Sequence, residues 1–183
     1  MSAFAVLRAG LAGMIMLALA GGAWAQQSDE LDALFDQLRY ATDQQSAHVL
    51  DQQIWSIWTS PEDPDLAAAM TEVLAARRTM DLPGALGILN TMVVDYPDYA
   101  EGWNQRATVY FMLGDSQASL ADIDKVLALE PRHFGALSGQ AMIYRQLGEE
   151  ALALKAMSQA LEVHPFLVER TLFPELLDGI TRL

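Results

Sequence analysis

Three prolines fall at positions 97, 131 and 165, each 34 residues after the last, and each closes an amphipathic run: GALGILNTMVVDYP, ASLADIDKVLALEP and ALKAMSQALEVHP. Proline has no N–H and its ring collides with the preceding turn, so a helix stops just ahead of it. Helix ends that recur every 34 residues have the spacing of a helix–turn–helix repeat. Each such unit keeps surplus apolar surface that only its neighbour can cover, so the chain must stack. After residue 25 no alternation of period two persists, and apolar residues recur three, four and seven apart. The fold class is therefore all-α, a solenoid of antiparallel helix pairs.

The unit from Ala100 to His133 shows how one pair is specified. Trp103, Ala107 and Tyr110 share one face of a first helix, and Leu113-Gly114 ends it, glycine supplying the left-handed conformation that a helix end favours. Leu120, Ile123 and Leu127 line one face of a second helix, which stops before Pro131. Small Ala107 and Ser119 let the two helices approach to about 8–10 Å.

These residues resemble a tetratricopeptide repeat (TPR): Trp103, Ala107, Tyr110, Leu113-Gly114-Asp115, Leu127 and Pro131 in one unit, and Leu137, Ala141, Tyr144, Leu147-Gly148, Ala153, Ala160 and Pro165 in the next. The unit 66–99 keeps Ala85, Leu89 and Pro97 but has Ala69, Ala76 and Met80 where Trp, Tyr and Gly are expected. The resemblance implies three repeats, 66–99, 100–133 and 134–167. A degenerate helix pair precedes them over 26–61, with Leu34, Phe35, Leu38, Ala41, Ala47 and Ile54 in register, and 62–65 serves as a linker. Residues 168–183 read as a cap that shields the last repeat.

Residues 1–25 have the three parts of a secretory leader: Arg8 in a positive n-region, the apolar LAGMIMLALAGG, and Ala23-Trp24-Ala25 as a small-x-small cleavage site. Glycines 10, 13, 21 and 22 interrupt an apolar run that is short for a membrane span, so cleavage is expected near Gln26, with no span afterwards. The expected location is periplasmic or secreted. The 183-residue chain has no cysteine, which excludes disulfides and thiolate metal sites, so packing alone must hold it. A net charge of −13 argues against nucleic acid, whose phosphates need a Lys/Arg surface.

No catalytic constellation is legible. His48, His133 and His164 belong to three separate units without the two-ligand spacing of a zinc helix, so no metal is expected. No serine sits in a G-x-S-x-G elbow, no phosphate-binding glycine loop follows a strand, and no cofactor is implied. Pro131-Arg132-His133 reads as the corner between two repeats, with His133 solvated. Gly135 and Gly139 follow on the next first helix; each costs about 1 kcal/mol relative to alanine, so they admit a close neighbour or leave an open floor for a ligand. Trp55 and Trp58 read as core aromatics of the first pair. Arg106, at a usually apolar position, is expected to pair with Asp122 on the second helix, as similar repeats do.

Binding remains. The resemblance implies a concave groove lined by the first helices, and its register puts Met70, Leu74, Arg77 and Arg78 there, then Asn104, Thr108, Phe111 and Met112, then Ser138, Met142, Arg145 and Gln146. Glu101 and Gly135 project to the same face. Methionine adapts to irregular apolar partners and arginine grips carboxylates, so the expected partner is another polypeptide, acidic and partly apolar. Family members that clamp the acidic terminus of a chaperone need Lys and Asn at 70/74, 104/108 and 138/142, where this chain has Met70, Leu74, Asn104, Thr108, Ser138 and Met142. That use is not implied. The expected function is an exported, non-enzymatic adaptor or scaffold; the alternative is a structural subunit docked permanently in a cell-envelope complex.

Overall fold

The structure, a computed structural model, describes residues 29–177; the expected leader, residues 26–28 and the last six residues of the expected cap lie outside them. The described chain is helical throughout. Helix α1 covers 29–39, followed by α2 (Gln44–Thr59), α3 (Pro64–Arg78), α4 (Leu82–Asp95), α5 (Ala100–Met112), α6 (Ser116–Leu129), α7 (Phe134–Gln146) and α8 (Glu150–Val163). A 3₁₀ turn, Val168–Leu172, and the short α9, Pro174–Leu177, complete it. Among the described residues no helix is long and apolar enough to cross a membrane.

The three pairs α3/α4, α5/α6 and α7/α8 form the repeat stack, and the same local chemistry recurs at each turn. In the α5–α6 turn the Asp115 N–H reaches Tyr110 O at 2.9 Å and the Gly114 N–H reaches Phe111 O at 3.0 Å; Glu149 and Gly148 repeat this pattern after α7. Gly114 and Gly148 have φ of 83° and 77°. Met80, the residue at the same place in the first repeat, takes φ of 61° and makes the same bonds. The geometry of the turn thus overrides a left-handed penalty of about 1–2 kcal/mol at that methionine. Asp81 and Asp115 then cap the second helices by accepting the N–H groups of Gly84 and Ala118, both at 3.0 Å.

The first repeat starts earlier than the sequence implies. Asp63 accepts the N–H groups of Asp65 and Leu66, and Pro64 takes the first helical position, so α3 begins inside the stretch 62–65 expected as a linker.

Within the middle repeat the Arg106 pair is present and better formed than an exposed bridge. Nε and Nη2 of Arg106 hold the two Asp122 oxygens at 2.7 and 2.8 Å, and Nη1 reaches Asn90 Oδ1 at 3.1 Å. The guanidinium lies over the rings of Trp103 and Tyr110. With only 6% of the Asp122 side chain exposed, the pair ties three helices rather than decorating a surface. Ser119 Oγ donates to Ala107 O at 2.7 Å, a contact possible only because both residues are small.

The amino-terminal pair α1/α2 does not extend the stack at its α3 end. Its apolar residues Leu34, Phe35, Leu38, Ala47, Ile54 and Trp58 form one core with Phe134, Leu137, Ala141, Met157 and Phe173, whereas the α3–α5 core contains no residue from α1 or α2. The chain therefore doubles back, and the hairpin lies along the inter-repeat corners toward the last repeat. Polar joints follow the same path: Tyr99 donates to Trp58 O at 2.5 Å, Arg132 to Asp32 at 2.6 Å, and Arg39 to Glu162 O at 3.4 Å. Arg132 also lies 4.3 Å above the Phe35 ring.

The glycines of α7 separate in role. A Cβ on Gly135 would stand 2.8 Å from Trp55 Cη2, while one on Gly139 would meet only Ile123 Cδ1 at an ordinary 3.8 Å. Gly135 admits the close neighbour, and that neighbour is α2. Gly135→Ala should consequently lower stability by about 1–2 kcal/mol through overpacking, and Gly139→Ala should raise it by up to about 1 kcal/mol through helix propensity. Urea melts of the two variants against the parent give both signs.

Candidate functional site

The residues projected onto the concave face fall into four rows of equivalent positions, and their exposure is graded along the first helices. Met70, Asn104 and Ser138 form the innermost row and are 0%, 5% and 6% exposed. Leu74, Thr108 and Met142, then Arg77, Phe111 and Arg145, are half-buried. Arg78, Met112 and Gln146, at the carboxyl ends of α3, α5 and α7, are exposed. The face is closed near the corners and open toward the intra-repeat turns.

Each closure has a local cause. Met70 packs among Leu66, Val73, Leu89 and Val109 and belongs to the core shared by the first two repeats rather than to a groove floor. Asn104 donates to the buried Glu101 at 3.0 Å, and Ser138 donates to Gly135 O at 3.1 Å. The two arginines projected as anchors are used internally. Arg77 Nη1 donates to Gln105 Oε1, and burial pulls the guanidinium pKa down against the opposing pull of Glu101. Arg145 lies 4.7 Å over the Phe173 ring, under the cap. Among the described residues, Arg77 Nε and Arg145 Nη1 are sealed from solvent without a hydrogen-bond partner. Arg78 is the exposed cation of the four rows.

His133 differs most from its expected place. It is 0% exposed, not a solvated corner residue. Trp58 stacks on its ring with centroids 3.9 Å apart and planes 6° from parallel, while Trp55 meets it edge-on at 5.7 Å. The corner is buried because the α1/α2 hairpin covers it. His133 is also the N-cap of α7: Nδ1 accepts the Ala136 N–H at 3.1 Å. That nitrogen therefore carries no hydrogen, and Nε2–H points to Glu101 Oε2 at 3.0 Å.

Glu101, 1% exposed, collects donors from Asn104, Gln105 and His133. Arginine only donates and a carboxylate only accepts, so the direction of the chain Arg77→Gln105→Glu101←His133 is fixed from its two ends. This polar seam joins the first helices of all three repeats and presents His133 to α2. Its role is structural, and Glu101, Gln105 and His133 sit too deep to meet a solute.

A second feature lies between α2 and the last repeat, a cleft of about 590 Å³ lined by Asp51, Trp55, Phe134, Ser138, His164 and Phe166 among others. His164 is buried, and burial, followed by the charge of Arg170, holds its imidazole down at about 4. Burial pushes the Asp51 carboxyl up, opposed in part by Trp55 and His48 and assisted by Glu169. Between pH 6.5 and about 4 the unfolded chain binds the His164 proton and the folded chain does not. The stability present above pH 6.5 should therefore fall as pH drops through this window, by at most about 1.4 kcal/mol per unit. Asp51 has the opposite sign and moderates the loss at the acid end. His164→Asn keeps an acceptor for the Phe166 N–H and should flatten the melting temperature over this range in a pH series.

Helix pairs of this geometry, stacked at proline corners with glycine-closed turns, define a repeat scaffold that presents surfaces to other polypeptides. A tetratricopeptide-repeat family model matches residues 135–166. A TPR repeat-containing protein of Rhizobium etli is 38% identical over 135 residues, covering 74% of this chain and 66% of the relative. The chain belongs to the tetratricopeptide-repeat family and is a protein–protein interaction module.

Proposed function

We propose that the protein is an exported adaptor that holds a partner polypeptide against the open half of its concave face and catalyses nothing. The observation that carries this reading is the graded exposure of the four equivalent rows. Phe111 and Leu74 offer half-buried apolar surface, and Met112, 39% exposed, stands in one row with the exposed Arg78 and Gln146. A partly apolar segment suits this strip, and an acidic residue on it would find Arg78, since Arg77 and Arg145 are engaged within the fold. The leader sequence supports a periplasmic or secreted location, and intact mass of the exported protein should begin at or near Gln26.

The surface test uses Arg78→Glu with Met112→Glu, two changes at exposed positions. Crosslinked capture of the partner in the native envelope should be lost while helix content and melting stay at parental values. Lys125→Glu with Lys155→Glu, on exposed positions of α6 and α8, is the control. Equal loss of capture in the control pair, or none in the first pair, would remove the concave face as the docking surface.

A further inference from the structure

We propose that the cleft between α2 and the last repeat receives an arginine side chain from a partner polypeptide. The inference rests on the polypeptide-binding reading and adds a second, chemically distinct contact to it. Three observations converge on this cleft.

The first is a carboxylate without a cation. Asp51 lines the cleft with 22% of its side chain exposed, and Glu169 lines it from the 3₁₀ turn. No lysine or arginine is among the described lining residues. Arg170, the nearby cation, donates to Pro165 O at 2.7 Å and rests on Phe166. His48 at the rim is paired with Gln52 at 3.1 Å.

The second is a donor that the described residues leave without an acceptor. His164 Nδ1 accepts the Phe166 N–H at 3.3 Å, so its ring hydrogen is on Nε2. Nε2 makes no hydrogen bond among the described residues; its nearest carboxylate oxygen, on Asp51, is 3.7 Å away, beyond hydrogen-bond reach. The His164 side chain is 6% exposed and lines the cleft, where Nε2 keeps contact with solvent. A peptide carbonyl entering the cleft would satisfy it.

The third is the wall. Trp55 and Phe134 stand edge to face at 5.7 Å, with the Trp55 ring seated against the Gly135 backbone. A flat guanidinium stacks on aromatic surface and gives a carboxylate two parallel hydrogen bonds, which a lysine ammonium cannot match. The chain already uses aromatic rings in this way for Arg132, Arg145 and Arg170. The net charge of −13 draws a basic segment in from a distance.

The test is titration of the ¹⁵N-labelled full chain with acetyl-Leu-Arg-Leu-amide and with its citrulline counterpart, a neutral isostere. Saturable shifts are expected at the Trp55 indole N–H and the Gly135 and Ser138 amides, with the citrulline peptide at least about tenfold weaker. Asp51→Asn should erase the preference for arginine without altering the circular dichroism spectrum. Absence of saturable shifts at the cleft, equal binding of the two peptides, or a preference that survives Asp51→Asn would overturn the proposal. Shifts confined to Thr108 and Met112 would also overturn it and would leave the concave-face reading standing. Cleft shifts that persist in the Arg78→Glu, Met112→Glu variant, together with unchanged capture by it, would support the cleft and sink the concave face instead.

Discussion

Trp58→Ala should detach the amino-terminal hairpin and lower the stability of the folded chain by about 3–5 kcal/mol, the usual cost of deleting a large buried aromatic. Trp58 is 7% exposed and meets Phe35, Trp55, His133 and Phe134 at once, so no neighbour can move in to fill its volume. The hydrogen bond from Tyr99 goes to the backbone of Trp58 and survives the change, so the loss reports packing and the His133 stack. For a chain of this size the melting temperature should fall by about 6–20 °C. Limited proteolysis should also cut within 29–60 before it cuts the repeats. Trp58→Phe, which keeps a ring over His133, should recover part of the loss. A Trp58→Ala protein that melts with the parent and resists proteases in α2 would show that the hairpin is held elsewhere.

Glu101→Gln should cost about 3 kcal/mol. The three side chains that meet this carboxylate all arrive as donors, from Asn104, Gln105 and His133. An amide can accept on one atom only and brings two further donors into a site with no acceptor for them, so at least one buried group stays unpaired. His133 cannot turn its ring to help, because Nδ1 is already the cap of α7. The expected signature is a lower urea midpoint together with a changed Trp58 emission, since the ring stacked on that indole loses its anchor. A neutral effect on stability would mean that the seam is not closed as described. Either outcome is separable from binding at Arg78 and Met112, which touch none of these groups.

Much of the repeat stack was legible in the residues because its causes are local. A proline ends a helix wherever it falls, a glycine takes the left-handed turn at 114 and 148, and an apolar stripe at helical spacing marks one face for burial. The Arg106–Asp122 pair was legible through the resemblance to similar repeats, and it too lies within one helix hairpin. Gly135 was half legible. A glycine inside a helix signals a close neighbour, but nothing in its surroundings names Trp55, which is 80 residues earlier in the chain.

The sequence by itself thus determined the helices, their pairing into units of 34 residues and the membership of the chain in its family. Only the tertiary structure decided where the α1/α2 hairpin docks, and the departures at the candidate site follow from that docking or from packing inside the stack. It buries His133 and closes Ser138 into the wall of a cleft, while Met70 and Arg77 are taken up by the interior of the stack. A periodic apolar face states that a helix must be covered and is silent on which surface covers it. That choice rests on the shape fit of Trp55 and Trp58 to a glycine and a histidine far along the chain, a non-local match that no spacing records.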